Sequence, residues 1–239
     1  MSFKGEIEVR CPKGCEPFTT EIWSFIRGDQ SPALREAVLA RECNLLLCPA
    51  CDTAFIPEEP YVYFEPQAEL LAFVFPESYR DRRDYWLGKM RDDFLLMREA
   101  LGGEITLDVE PQIFFGFEEL AELLEREDYR AEEREVMECL AGELGLSLYR
   151  VSPSFSRRSG IPRSLPYATR DGAPATLRSV MEGLEKLVGA NDRLTSYGAY
   201  LKSLKSSDPG EFLPPPAGLP PGQRKPELRP APPSAAKHS

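Results

Sequence analysis

The chain has 239 residues, 42% of them hydrophobic, with 13 Phe and 9 Tyr, which is ample apolar material for one substantial core plus appendages. No apolar stretch approaches the roughly 18 residues of a membrane span, and no charged-then-apolar leader opens the sequence, so a soluble, cytoplasmic protein with reduced cysteines and no membrane partner is expected. The formal net charge of −10 is divided: residues 1–150 hold 16 Lys and Arg against 32 Asp and Glu, net −16, and residues 151–239 hold 13 against 7, net +6. An acidic body repels phosphate backbones, which argues against a nucleic-acid role.

The pattern Gly5-Glu6-Ile7-Glu8-Val9-Arg10 alternates as a short half-buried strand and delivers a first cysteine knuckle, Cys11-Pro12-Lys13-Gly14-Cys15. An aromatic and β-branched strand follows at Phe18 to Ile26. Ser31-Pro32 supplies an N-cap serine and a proline at the first helical position, opening a short helix through Leu34, Val38 and Leu39. The apolar run Leu45-Leu46-Leu47 then leads into a second knuckle, Cys48-Pro49-Ala50-Cys51, and out through Thr53-Ala54-Phe55-Ile56. This is the strand, knuckle, strand order of a zinc ribbon.

Two cysteine pairs, each with a proline after its first member, offer four soft ligands on two tight turns, the set that a tetrahedral Zn2+ requires. Cys11, Cys15, Cys48 and Cys51 are therefore the expected metal ligands. A site closed by four thiolates leaves no coordination position for a substrate, so the expected zinc is structural. The competing reading is a thiol-redox or other enzyme in which Cys48 and Cys51 are reactive cysteines. A redox Cys-x-x-Cys opens the helix of a βαβ unit, however, and this one follows a strand. Cys43, five residues before the second pair, is a substitute ligand or, more simply, a buried thiol, and Cys139 in Val136-Met137-Glu138-Cys139-Leu140 is expected to pack in the core of a helix.

Strands follow at Tyr61-Val62-Tyr63-Phe64 and Leu70 to Phe75, each closed by a proline at 66 or 76. From about Glu77 the period changes: Trp86, Met90, Phe94, Met97 and Leu101 form a helical stripe that ends at Gly102-Gly103. Residues 104–109 alternate as a strand, and two acidic helices are expected at Phe117 to Glu125 and Tyr129 to Leu144.

The runs "LARECNLLLCPAC", "EEPYVYFEP" and "IFFGFEELAELLERED", with Asn44 before the second pair and the helix start at Phe115 to Leu120, resemble the CpXC domain family over about residues 6 to 140. The family takes its name from two cysteine-proline-x-cysteine motifs, and the resemblance implies zinc binding without an established activity. This chain departs from the family pattern at both knuckles. Its first pair encloses three residues, and Asp52 stands where a glycine is usual. Asp tolerates left-handed backbone better than most residues, and Gly14 can absorb the extra residue as a bulge.

Beyond the resemblance, Ser152 to Arg170 contains Arg157, Arg158, Arg163 and Arg170, five serines and no acid. It is expected to be a basic loop, either a solvated connection or, more sharply, a strap across the acidic body or a site for an acidic partner. Helices from about Ala175 to Val188 and from Asn191 to Leu204 carry apolar faces that need burial, against the body or in a second copy of the chain. After Ser206 there are ten prolines in 33 residues, a composition that cannot support packed structure; Leu213-Pro214-Pro215-Pro216 and Leu219-Pro220-Pro221 are polyproline segments of the kind aromatic grooves read.

The only histidine is His238, which removes histidine-based triads, metal catalysis and acid–base work; no phosphate-binding glycine loop or nucleophile elbow is present. The sequence thus predicts an α+β protein with a zinc-ribbon-like sheet region. Its parts are a zinc-binding domain at 1–150, a basic loop at 151–172, a helical extension at 173–206 and a disordered proline-rich tail at 207–239. The expected role is non-enzymatic, a binding or adaptor protein for an unidentified protein partner.

Overall fold

The computed structural model describes residues 1–101, 109–168, 173–206 and 213–217. It is a mixed α+β structure whose chain divides into two compact units, Met1–Ala131 and Glu132–Ser239. No helix among the described residues is long and apolar enough to cross a membrane.

The first unit contains, in chain order, β1 (Phe3–Val9), β2 (Phe18–Arg27), α1 (Pro32–Leu39), β3 (Leu46–Leu47), β4 (Ala54–Phe55), β5 (Tyr61–Glu65), β6 (Leu70–Phe75), α2 (Arg83–Leu101), β7 (Pro111–Phe115) and the first part of α3 (Phe117–Glu143). Five strands form one sheet in the order β1-β2-β5-β6-β7, with β2–β5 and β6–β7 parallel and the other pairs antiparallel. The strand β6, Leu-Leu-Ala-Phe-Val-Phe, is buried at every position. Because successive side chains point to opposite faces, it serves two cores at once. Leu70, Ala72 and Val74 pack with Val38 of α1 and Leu120, Leu123 and Leu124 of α3, while Leu71, Phe73 and Phe75 pack with Met90, Trp86 and Phe94 of α2. The sheet is therefore the middle layer of three, and the stripe from Trp86 to Met97 covers one of its faces. Ser31 stands before α1 as expected, but its hydroxyl pairs with Ser2 Oγ at 2.9 Å and not with the helix.

Three sequence expectations change here. Residues 104–108 of the expected strand lie outside the described residues, Val109 is in no strand, and the strand that extends the sheet is β7, unforeseen behind its opening Pro111. The two acidic helices are one 27-residue helix, α3, since no glycine or proline separates Glu125 from Tyr129. The basic stretch is folded as well: in the second unit, β8 (Ser147–Arg150) is followed by α4 (Pro153–Ser159) and β9 (Ser164–Tyr167), then α5 (Leu177–Ala190) and α6 (Thr195–Ser206).

Helix α4 begins by the rules of its sequence, with Ser152 accepting from Phe155 N–H, Pro153 in the first turn and Gly160 in left-handed conformation (φ 65°) after its end. The apolar faces of α5 and α6 are buried within this unit, where Val180, Leu184, Leu187, Tyr197 and Leu201 pack with Met137, Val151 and Leu165. Of the proline-rich tail, Leu213–Ala217 are described and lie along β8; its other residues fall outside the described ones.

Helix α5 approaches β9 so closely that a Cβ on Gly183 would stand 2.4 Å from the Pro166 carbonyl oxygen and 2.7 Å from Tyr167 Cα. These are backbone atoms and cannot swing away. Gly183→Ala is therefore expected to destabilise the second unit by about 1–3 kcal/mol despite its better helix propensity, measured by chemical denaturation.

Candidate metal centre

The first knuckle joins the edge strand β1 to β2. Its turn is closed by Gly14 N–H donating to Cys11 C=O at 2.9 Å, and Lys13 N–H points at Cys11 Sγ at 3.4 Å. Gly14 takes φ +77° with open space around it, so the additional residue of this pair is accommodated by a glycine where a side chain would be strained.

The second knuckle caps the two-residue ladder of β3 and β4, in which Leu46 faces Phe55 and Leu47 faces Ala54. Asp52 N–H donates to Cys48 C=O at 2.9 Å and Cys48 N–H to Thr53 C=O at 3.0 Å, while Asp52 adopts φ 54°. Both departures from the cysteine-pair pattern are thus backbone adjustments that keep the thiols converging.

All four Sγ atoms of Cys11, Cys15, Cys48 and Cys51 lie within 4.8 Å of one another, and the Cys11 and Cys51 sulfurs are 3.7 Å apart. A tetrahedron with metal–sulfur bonds of about 2.3 Å has edges of about 3.8 Å. A disulfide would require about 2.05 Å, and all six cysteines are free thiols. Cys11 and Cys48 are buried, Cys15 is half-buried and Cys51 is exposed.

The thiols are linked to one another by hydrogen bonds. Hydrogen bonding with the Thr53 hydroxyl (3.2 Å) and backbone holds Cys51 down at about 6, whereas Cys15, hydrogen-bonded first to Cys51 and then to Cys11 and Cys48, is pushed up to about 12. Such a set suits a cation that displaces the thiol protons and is released as pH falls. Cys43 is not a member. It lies in the sheet core beside Tyr61, where burial raises it to about 12. Cys139, expected in a core, is exposed on α3.

One residue fixes the second knuckle to the sheet. Asn44, at φ 61°, uses its side-chain amide as a two-pronged clasp on β2: Trp23 N–H donates to Oδ1 at 2.8 Å and Nδ2 donates to Trp23 C=O at 3.0 Å. Nearby, Phe18 and Phe55 meet edge to face at 6.3 Å, linking β2 to β4. The start of α3 is pinned to the same region. Gly116 N–H donates to Phe75 C=O at 2.8 Å, Phe117 stacks on Tyr61 with centroids 6.1 Å apart, and Glu118 pairs with Arg41, which also reaches Glu125 at 3.5 Å.

Compared with known families, the chain matches the model described as CpXC protein over residues 9–134, more than half of its length. The chain belongs to the CpXC family. No curated protein and no solved structure matches it. The CpXC match begins just before Cys11 and takes in both knuckles, Asn44 and the start of α3, so it covers the four cysteines and the clasp that ties the second knuckle to β2.

The candidate partner-binding arginines stand elsewhere. Arg157 and Arg158 are on α4, Arg163 directly precedes β9, and Arg170 lies outside the described residues. The sequence reading missed the clasp from Asn44 and the ties from Arg41. An asparagine, a residue that tolerates left-handed backbone, directly before the apolar run was the available signal, but its partner is 21 residues away.

Asn44→Ala leaves two Trp23 backbone groups without their partner and puts alanine in a left-handed conformation. It should cost about 1–3 kcal/mol and weaken metal retention in a chelator competition, whereas Asp52→Gly relieves a positive φ and should be neutral or slightly stabilising.

Proposed function

We propose that this CpXC protein is a zinc-stabilised, non-enzymatic binding protein, with Zn2+ held by Cys11, Cys15, Cys48 and Cys51 in a structural site reminiscent of a zinc ribbon. The observation that supports it most directly is the convergence of four sulfurs within 4.8 Å, one edge at 3.7 Å, from two turns with no histidine or carboxylate among them. Thiolates of this number and spacing select a soft, tetrahedral ion, and a filled shell of four leaves no place for substrate. The metal, when bound, supplies a cross-link between the β1–β2 turn and the β3–β4 hairpin and lets the four thiolates persist. The protein's part is positional: the clasp from Asn44 and the edge contact of Phe18 with Phe55 hold the knuckles at the required separation. Unpaired thiols of this kind belong in a reducing compartment, the cytoplasm. The role then lies in surfaces, toward a protein partner, and the acidity of residues 1–150 argues against nucleic acid.

Chelation with thiol counting tests this. Purified under reducing conditions, the chain should carry one zinc, leave only Cys139 reacting rapidly with an alkylating agent, and expose four more thiols when a strong chelator strips the metal, with a marked fall in melting temperature. Cys48→Ser should reproduce the stripped state, since structural zinc contributes on the order of 10 kcal/mol to folding of its site. A metal-free chain of undiminished stability with a fast-reacting Cys48–Cys51 pair would instead support the thiol-enzyme reading.

A further inference from the structure

Strand β8 has two edges. One pairs with β9, and Val151 N–H continues that side by donating to Arg163 C=O at 2.8 Å. The other is occupied by Leu213–Ala217 from the proline-rich tail. Ser152 N–H donates to Pro215 C=O at 2.8 Å, Ala217 N–H donates to Arg150 C=O at 2.9 Å, and the Tyr149 hydroxyl donates to Pro214 C=O at 2.6 Å. Val151 and Pro216 face each other as an antiparallel bridge, and Leu213 packs against the core of the second unit.

The chemistry of this edge matches proline closely. Prolines can only accept, and the edge presents two donors, Ser152 N–H and Tyr149 O–H, to the carbonyls of Pro215 and Pro214. Pro216 sits opposite Val151, whose N–H is committed to the β9 side, so the missing proline N–H is not called for. The single donor demanded of the segment comes from Ala217, where proline stops. A segment already restricted to extended conformations loses little entropy on docking. The same pattern recurs six residues on in the sequence: Leu219-Pro220-Pro221-Gly222-Gln223 has the leucine, two proline carbonyls and a non-proline N–H at the fifth position.

We propose that the Tyr149–Ser152 edge of β8 is a binding site for extended peptides of the pattern leucine-proline-proline-x-(not proline), and that Leu213–Ala217 is its tethered resident ligand. A protein partner carrying this pattern enters by displacing the resident segment, and the second copy at Leu219 is a spare that can take its place. The site is independent of the metal centre.

The test uses the full-length chain and a fluorescein-labelled synthetic peptide of residues 211–218. Two double variants release the tail without touching the site: Leu213→Asp with Leu219→Asp removes the leucine anchors, and Ala217→Pro with Gln223→Pro removes the N–H at the fifth position of each copy. Both are expected to bind the peptide at least tenfold more tightly than the unmodified chain, where the tethered segment competes. Leu213→Asp alone should gain less than the double variant, because the second copy remains. Tyr149→Phe, added to either double variant, should weaken binding about threefold or more, with the circular dichroism spectrum unchanged. Native-like double variants that bind no better than the unmodified chain would overturn the proposal. Loss of the second unit's cooperative melting in both would overturn it too, by showing that the segment is a structural strand and not a ligand.

Discussion

Four cysteine sulfurs must meet at one point, and the architecture around the knuckles of this protein follows from that requirement. The two turns that supply them belong to different sheets: one ends an edge strand of the five-stranded sheet, the other caps a hairpin of two residues per strand. A ladder that short is not stable alone. It is held by what surrounds it, namely the sulfur cluster, the amide clasp of Asn44 on Trp23 and the aromatic contact of Phe55 with Phe18. Each of the three ties the hairpin to β1 or β2, so removing any one leaves the others carrying a longer unsupported loop.

The rest of the first unit supplies the rigid base. Strand β6 is buried on both faces, and the glycine at 116 turns the chain from β7 directly into α3, where Phe117 stacks on Tyr61 and Glu118 reaches Arg41. Arg41 is three residues before Asn44, and both have positive φ, so the irregular stretch between α1 and β3 is fixed at each end by a side chain reaching a different element. In this way a cluster of four thiols is supported by residues that offer no metal ligand of their own.

The legible parts of the fold were those governed by short-range rules. Cysteine spacing identified the four thiols that converge, and the tolerance of Gly14 and Asp52 for left-handed backbone was readable from residue type and is what the turns use. Strand and helix periods located β2, α1, β5, β6, α2, α5 and α6. What stayed hidden depended on distant partners or conflicting composition. Pro111 and Pro166 disguised β7 and β9, because proline within an apolar run argues against a strand until an edge position is known. Serines and arginines disguised α4, although Ser152-Pro153 is a regular helix start. Cys139 was assigned to the wrong face: Met137 and Ala141 point inward, and a residue two positions from Met137 is rotated by about 200° around the helix. Leu213–Pro216 was legible as a polyproline segment of a kind that docks, but not its partner, because the composition predicts lack of packing and the groups that receive it are on the edge of β8, not in an aromatic groove.

Zinc-edge X-ray absorption of the purified, full-length chain bears most directly on the claim that the two knuckles share one closed metal site. A single shell of four sulfur scatterers at about 2.3 Å with no nitrogen or oxygen component is the expected result. A shell containing oxygen or nitrogen ligands, or fewer than four sulfurs, would contradict it.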